Sequence, residues 1–263
     1  MSRSSRKHAQ KEAAERARRQ RLESIRNPDL PPDELEAFHA TCDEMYSVLD
    51  ALARDASVTA KLANNANTPV SHVGGAMLLE SNNDWPTGSN GPLSGVLEVY
   101  VKELPHVPPT LSGYQLLQLF LEVETDGDTN RYRDGDWTVL LQANTSSLGR
   151  YSNGAILNHQ PLAFSHERST PAYPDDLDVV DDGIRDRFEE LPNWSELLAD
   201  RYPSAGGVRY GGWPQWIDGQ GVGGEFVFQV EGWYVGLDLG FDGTLYFGFD
   251  PADSTWHCTW EIG

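Results

Sequence analysis

Carboxylates and histidines supply most of the acid–base and metal chemistry open to a protein, and in this chain they fall into a few short groups. Asp126-Gly127-Asp128-Thr129-Asn130 sets oxygen ligands at alternate positions, as a calcium loop begins. Its sixth position is Arg131 instead of glycine and its twelfth is Trp137 instead of glutamate, and an arginine among the ligands opposes a divalent cation. The Asp, Asn and Gly content predicts an exposed hairpin loop. His159, His166 and Glu167 would form a metal triad only if the loop carrying them folded back, so no metal is expected. The acidic run Asp175, Asp176, Asp178, Asp181, Asp182 and Asp186 lacks ligand spacing and reads as a solvated face or a patch for a basic partner. Gly219 to Gly224 satisfies GxGxxG, but that phosphate cradle needs a helix N-terminus, and here an apolar strand beginning at Glu225 follows. No cofactor is expected. His257 and Cys258 point to opposite faces of a strand and cannot act as base and nucleophile on each other, which leaves Cys258 a core thiol beside Trp256 and Trp260. GxSxG, HExxH and GxxxxGK[ST] are absent. Catalytic residues are therefore not assigned; scattered carboxylates such as Glu98, Glu122 and Asp238 are what an enzyme would have to use.

The other candidates are aromatic. Trp213, Pro214, Trp216, Trp233 and Tyr234 could form a partner-binding patch, because Trp and Tyr bring large contact area at low entropic cost. Packing around Gly-Pro turns is the competing reading.

These residues sit on a chain with visible organisation. Gly211-Gly212-Trp213-Pro214 has a looser copy in Gly74-Gly75 followed by Trp85-Pro86, and each leads into an apolar strand, a longer strand and a strand opening at a tryptophan. The pattern predicts an α+β fold of mainly antiparallel β sheets from an internal duplication, preceded by an amphipathic N-terminal helix. Residues 1–27 read as a basic arm, disordered or helical. Residues 28–69 read as a helical segment packed on the body, with a helix from Asp33 to about Leu62 on the stripe Leu35, Phe38, Cys42, Met45, Leu49 and Leu52. Residues 70–263 form the β-rich domain, with related halves 70–148 and 206–263 and a less regular connector 149–205 carrying helices near Gly183–Glu190 and Trp194–Arg201.

Val208 to Ile217, Phe226 to Val230 and Asp242 to Phe247, taken with Val73-Gly74-Gly75 to Trp85-Pro86, Leu97 to Pro105 and Gly113 to Phe120, resemble the YwqG-like family, a bacterial domain of unknown function. The resemblance covers roughly residues 70–263 and implies a single α+β domain with internal duplication and no established activity. Val208 stands where the family's second motif usually starts with histidine, and Leu97-Glu98-Val99-Tyr100 replaces its glutamine-containing first strand.

An apolar content of 39% with eight Trp and ten Tyr is that of a folded protein. Charge is divided: the first 30 residues hold nine Lys/Arg against four Asp/Glu, leaving 11 basic and 36 acidic residues beyond them, a net of about −25. Such a body repels phosphate backbones, so nucleic acid is a candidate only for the basic arm; the charge reads first as serving solubility, with a basic protein as the candidate partner. No apolar run reaches the roughly 20 residues of a membrane span. Charged residues follow Arg3, Arg6 and Lys7 where a signal peptide would be apolar, and the two cysteines lie far apart. A cytoplasmic location is expected. The combined reading is a binding or interaction protein, with bacterial toxin–immunity or stress systems as a fitting context; an enzyme with a carboxylate site between the halves and a carbohydrate-binding module are the alternatives.

Overall fold

The computed structural model describes residues 3–60, 70–127, 129–132, 135–153, 156–171, 179–202, 206–217, 219 and 221–263. Two compact units divide the chain, Met1–Leu52 with Thr170–Ser204, and Ala53–Ser169 with Ala205–Gly263.

The first unit is helical. Helix α1 spans Arg3–Arg26, and α2 spans Pro32–Leu52 with Pro at its first position and Asp33 and Glu34 in its first turn, where a missing N–H and negative charge both suit a helix start. Helices α3 (Asp182–Glu189) and α4 (Trp194–Arg201) stand where the sequence placed them, and the Asp181 side chain caps α3 by accepting from the Gly183 amide. The apolar stripe of α2 is used inside this unit: Phe38, Cys42, Met45 and Leu49 are buried with Ile25, Phe188, Leu197 and Leu198. Arg21 pairs with Glu196 and Arg26 with Asp200, tying the C-terminal end of α1 to α4. Burial pushes the Cys42 thiol up to about 11, with Asp43 adding to the effect, so it behaves as a small apolar side chain.

Helix α2 stops ten residues short of the expected end at Leu62, which itself lies outside the described residues. Arg54–Ala60 is a strand instead. Its composition tolerates helix, but Ala56 and Val58 face one side and Ser57 and Thr59 the other, and partners on both edges decide the outcome. One of those partners, Ala163–Ser169, lies in what read as an irregular connector.

Among the described residues the second unit is built on two large antiparallel sheets, with three two-stranded ones beside them. The larger runs Ala163–Ser169, Arg54–Ala60, Val208–Gly211, Glu225–Glu231, Thr244–Asp250, Thr255–Glu261. The smaller runs Trp137–Gln142, Leu116–Leu121, Ser94–Tyr100, His72–Val73, Gln160–Pro161. Leu97, Val99, Leu117 and Leu119 of the smaller sheet share one core with Tyr210, Phe228, Val230, Leu245 and Phe247 of the larger, so the inner faces pack together. Phe228 lies between stacked neighbours, 4.4 Å from the Phe247 ring centre and 5.4 Å from that of Tyr210.

Each outer face is crossed by a strap that begins at a Gly-Gly pair. Gly74 and Gly75 have φ of +58° and +76°, and Gly211 and Gly212 have +68° and +73°, a region open to glycine at little cost. A side chain on Gly74 would also collide with the Leu157 carbonyl, and one on Gly212 with Ser169 and Ala56. Both strands that follow the straps carry a bulge, between Gly95 and Leu97 in one and between Phe226 and Phe228 in the other.

Candidate functional site

Two residues past each bulge a buried polar side chain faces the strap, and the same pair of hydrogen bonds forms in both places. Under the first strap Glu98 Oε2 accepts from the Leu78 amide at 2.7 Å, while Gln118, its cross-strand neighbour, donates to the Leu78 carbonyl at 2.9 Å. Under the second, Gln229 Oε1 accepts from the Gln215 amide at 2.9 Å, while its neighbour Tyr246 donates to the Gln215 carbonyl at 2.5 Å. One residue of each strap is thus pinned through both its backbone polar groups, which accounts for polar side chains at positions with almost no exposure.

Glu98 is completely buried, and its charge is met by Arg150, whose Nη1 is 3.0 Å from Oε1 and also donates to the Ala76 carbonyl at 2.7 Å. His72 lies beside this pair with its Nε2 4.0 Å from Glu98 Oε1, and its ring stacks on His159 at 4.6 Å. Burial raises the Tyr246 hydroxyl well above the usual phenol range, with the Glu261 carboxylate adding to the effect, so it stays a neutral donor.

The strap also fixes part of the aromatic group. Trp213 and Pro214 are buried; the Trp213 amide donates to Ser169 Oγ at 2.7 Å and the Arg54 guanidinium lies 3.7 Å from the Trp213 ring centre. Trp216 is half-buried, 4.5 Å from the Tyr246 ring. In the first strap Trp85 is buried against Phe120 and donates its indole N–H to the Leu93 carbonyl at 2.7 Å.

Trp233 and Tyr234 belong to a different place. They lie on the short helix α5 (Gly232–Val235), which ends at Gly236 with φ +76°. Trp233 is 65% exposed, whereas Tyr234 is half-buried. The loop that follows is held on both sides. Asp238 donates its amide to the Asn130 carbonyl at 2.7 Å and pairs with Arg131 at 2.9 Å, while Trp260 donates to the Leu239 carbonyl at 2.9 Å. Phe241, 77% exposed, and Ile262, 48% exposed, flank the same loop: the Gly263 amide donates to the Phe241 carbonyl, and Ile262 packs over Gly240. Between Trp233, Thr129 and Asp242 lies a cavity of about 340 Å³. A second, of about 330 Å³, lies between Arg131, Trp260 and Ile262, and both use Asp238 and Gly240. Beneath Trp233, burial raises the Glu231 carboxyl above its ordinary range, opposed by hydrogen bonds from Gly207 and the Trp233 indole.

The remaining candidates are dispersed. Glu98 is spent on its strap, Glu122 accepts from Asn90 and the Asp136 amide, and Asp238 from Arg131 and the Gly240 amide, so these carboxylates have separate partners. His166 pairs with Asp55 at 2.9 Å, and Glu167 turns to the buried Arg209 at 2.7 Å. Among the described residues no three His, Cys, Asp or Glu side chains gather as metal ligands. Glu124–Asp126 and Thr129–Arg131 form the expected hairpin. Asp175, Asp176 and Asp178 lie outside the described residues, while Asp181, Asp182 and Asp186 serve the start and body of α3. Cys258 is half-buried rather than enclosed, on the core side with Trp256 and Trp260, because the last strand forms an edge of its sheet. No described helix is long and apolar enough to cross a membrane.

Sequence reasoning missed Gln118, Arg150, Asp242, Phe241 and Ile262. A signal existed for Phe241 in its position between Gly240 and the Asp242-Gly243 turn, where a large apolar residue has little to pack against. No protein-family model matches the chain, and a search of curated proteins finds no match.

Proposed function

We propose that this is a cytoplasmic binding protein whose acidic β-rich body engages a basic protein through the surface around Trp233 and Tyr234. The observation that carries the reading is the exposure of Trp233, Phe241 and Ile262 around one loop that is hydrogen-bonded on both sides. Large apolar side chains held outward on a fixed surface are suited to contact another protein, since little order has to be imposed on binding. The net charge of about −25 beyond residue 30 selects for a basic partner and speeds its approach. Trp213, Pro214 and Trp216 enter this reading as support of the fold within the second strap. A toxin–immunity or stress system, in which an acidic body masks a basic protein, is the setting it suits.

Internal duplication and the YwqG-like resemblance belong to the same proposal. Their support is the shared sequence of features in both sheets: Gly-Gly strap, Trp-Pro, bulge, buried polar residue two positions later, and a strap residue pinned through its amide and carbonyl.

Affinity purification from the native cell, comparing the intact chain with the Trp233→Ala, Phe241→Ala double variant, tests the surface. A protein retained by the intact chain, lost by the variant and then shown to bind directly after purification supports the reading. Equal recovery by both removes this surface from it.

A further inference from the structure

Resting on that binding reading, we infer that the cavity between Trp233 and Asp242 receives a cationic side chain of the partner, arginine or lysine. One wall of the cavity is the exposed indole of Trp233, whose face attracts cations. Another is Asp242, an exposed carboxylate with no hydrogen bond or ion pair among the described residues. Thr129 and Asn130 line the third side, where the Asn130 oxygens already accept from the Asp238 amide and from Thr125 Oγ1. The chain already holds a guanidinium at this loop: Arg131 donates through Nε to Asp238 Oδ2, and the Gly240 amide occupies Asp238 Oδ1. Both Asp238 oxygens are therefore engaged, and Asp242 is the carboxylate left for an incoming charge. An anion would meet two carboxylates, and a purely apolar side chain would desolvate Asp242 without compensation, so the cation is the occupant that this lining favours.

The test uses the full chain with 15N-labelled tryptophan and follows the Trp233 indole resonance by NMR. Acetyl-arginine amide is titrated against acetyl-citrulline amide, a neutral side chain of the same shape. Arginine is expected to shift Trp233 saturably and to bind about fivefold more tightly than citrulline, the scale of an exposed cation–π contact. Asp242→Asn is expected to weaken arginine binding about threefold. Asparagine accepts the positive φ of 47° found at this position, so the loop is kept. Equal titration by both probes, no shift with either, or an unchanged affinity in Asp242→Asn overturns the cation site. Those outcomes leave the docking surface standing if Trp233→Ala, Phe241→Ala still loses its protein partner, so the two failures are distinguishable.

Discussion

Beneath the first strap a carboxylate, Glu98, takes the place that the amide of Gln229 takes beneath the second. The hydrogen bond to the strap needs only an acceptor, so the charge on Glu98 is surplus to it and requires Arg150 as a counterion. Glu98→Gln should therefore be nearly neutral in chemical denaturation. Arg150→Met should cost about 1–3 kcal/mol in the natural chain and little in the Glu98→Gln background, because only the first leaves a buried charge uncompensated. Equal costs in both backgrounds would show that Arg150 acts through packing. Glu231 offers a second test with the opposite pH sense from a salt-bridged acid. Its carboxyl is raised by burial, so the folded state binds more protons than the unfolded one between the ordinary glutamate value and the raised value. Stability should fall as pH rises through that window and level off above it, and Glu231→Gln should remove the slope. A slope unchanged in the variant would assign it to another group. None of these environments was legible in the sequence, because Glu98 is 20 residues from both Leu78 and Gln118, and strand register brings it to Gln118 while the course of the strap brings it to Leu78.

At the scale of elements, what could be read were the features encoded within a few residues. The Gly-Gly pairs announced a backbone that only glycine adopts easily, the Asp-rich hairpin showed its turn chemistry, and α3 and α4 were placed to within a residue or two. The stretch after Leu52 was misread because alanine suits either conformation, and two partner strands more than 100 residues away outweigh its local preference. The straps give a direct prediction. Leu78 and Gln215 donate to buried side chains, so their amides should exchange with solvent far more slowly than those of exposed turns, and Glu98→Ala and Gln229→Ala should each expose only their own strap's amide. Simultaneous loss of protection at both would show that the two straps open together. Gly212→Ala should also destabilise by more than the ordinary surface substitution, since it combines a positive φ with contact against Ser169 and Ala56.

For the whole molecule, the helical unit has its own core around Met45, Leu49 and Phe188, and the β unit another around Leu119, Phe228 and Phe247. Unfolding need not be a single step under those conditions. Trp194 is the only one of the eight tryptophans in the helical unit, so fluorescence reports chiefly on the β unit, whereas ellipticity at ~222 nm follows the helices. Non-coincident denaturation midpoints are expected; coincident ones would show that the cores unfold as one. The division of charge was legible from composition, but which aromatic residues remain in contact with solvent was not, because exposure depends on what the completed sheets leave uncovered. The pinned strap residues have a consequence for how such a molecule can change over generations. A pin that grips the backbone amide and carbonyl is indifferent to the side chain of the residue it grips, so Leu in one strap and Gln in the other serve equally. Drift at those positions leaves the shape intact while erasing its trace in the letters, and two straps held in this way can be strangers in sequence while keeping one form.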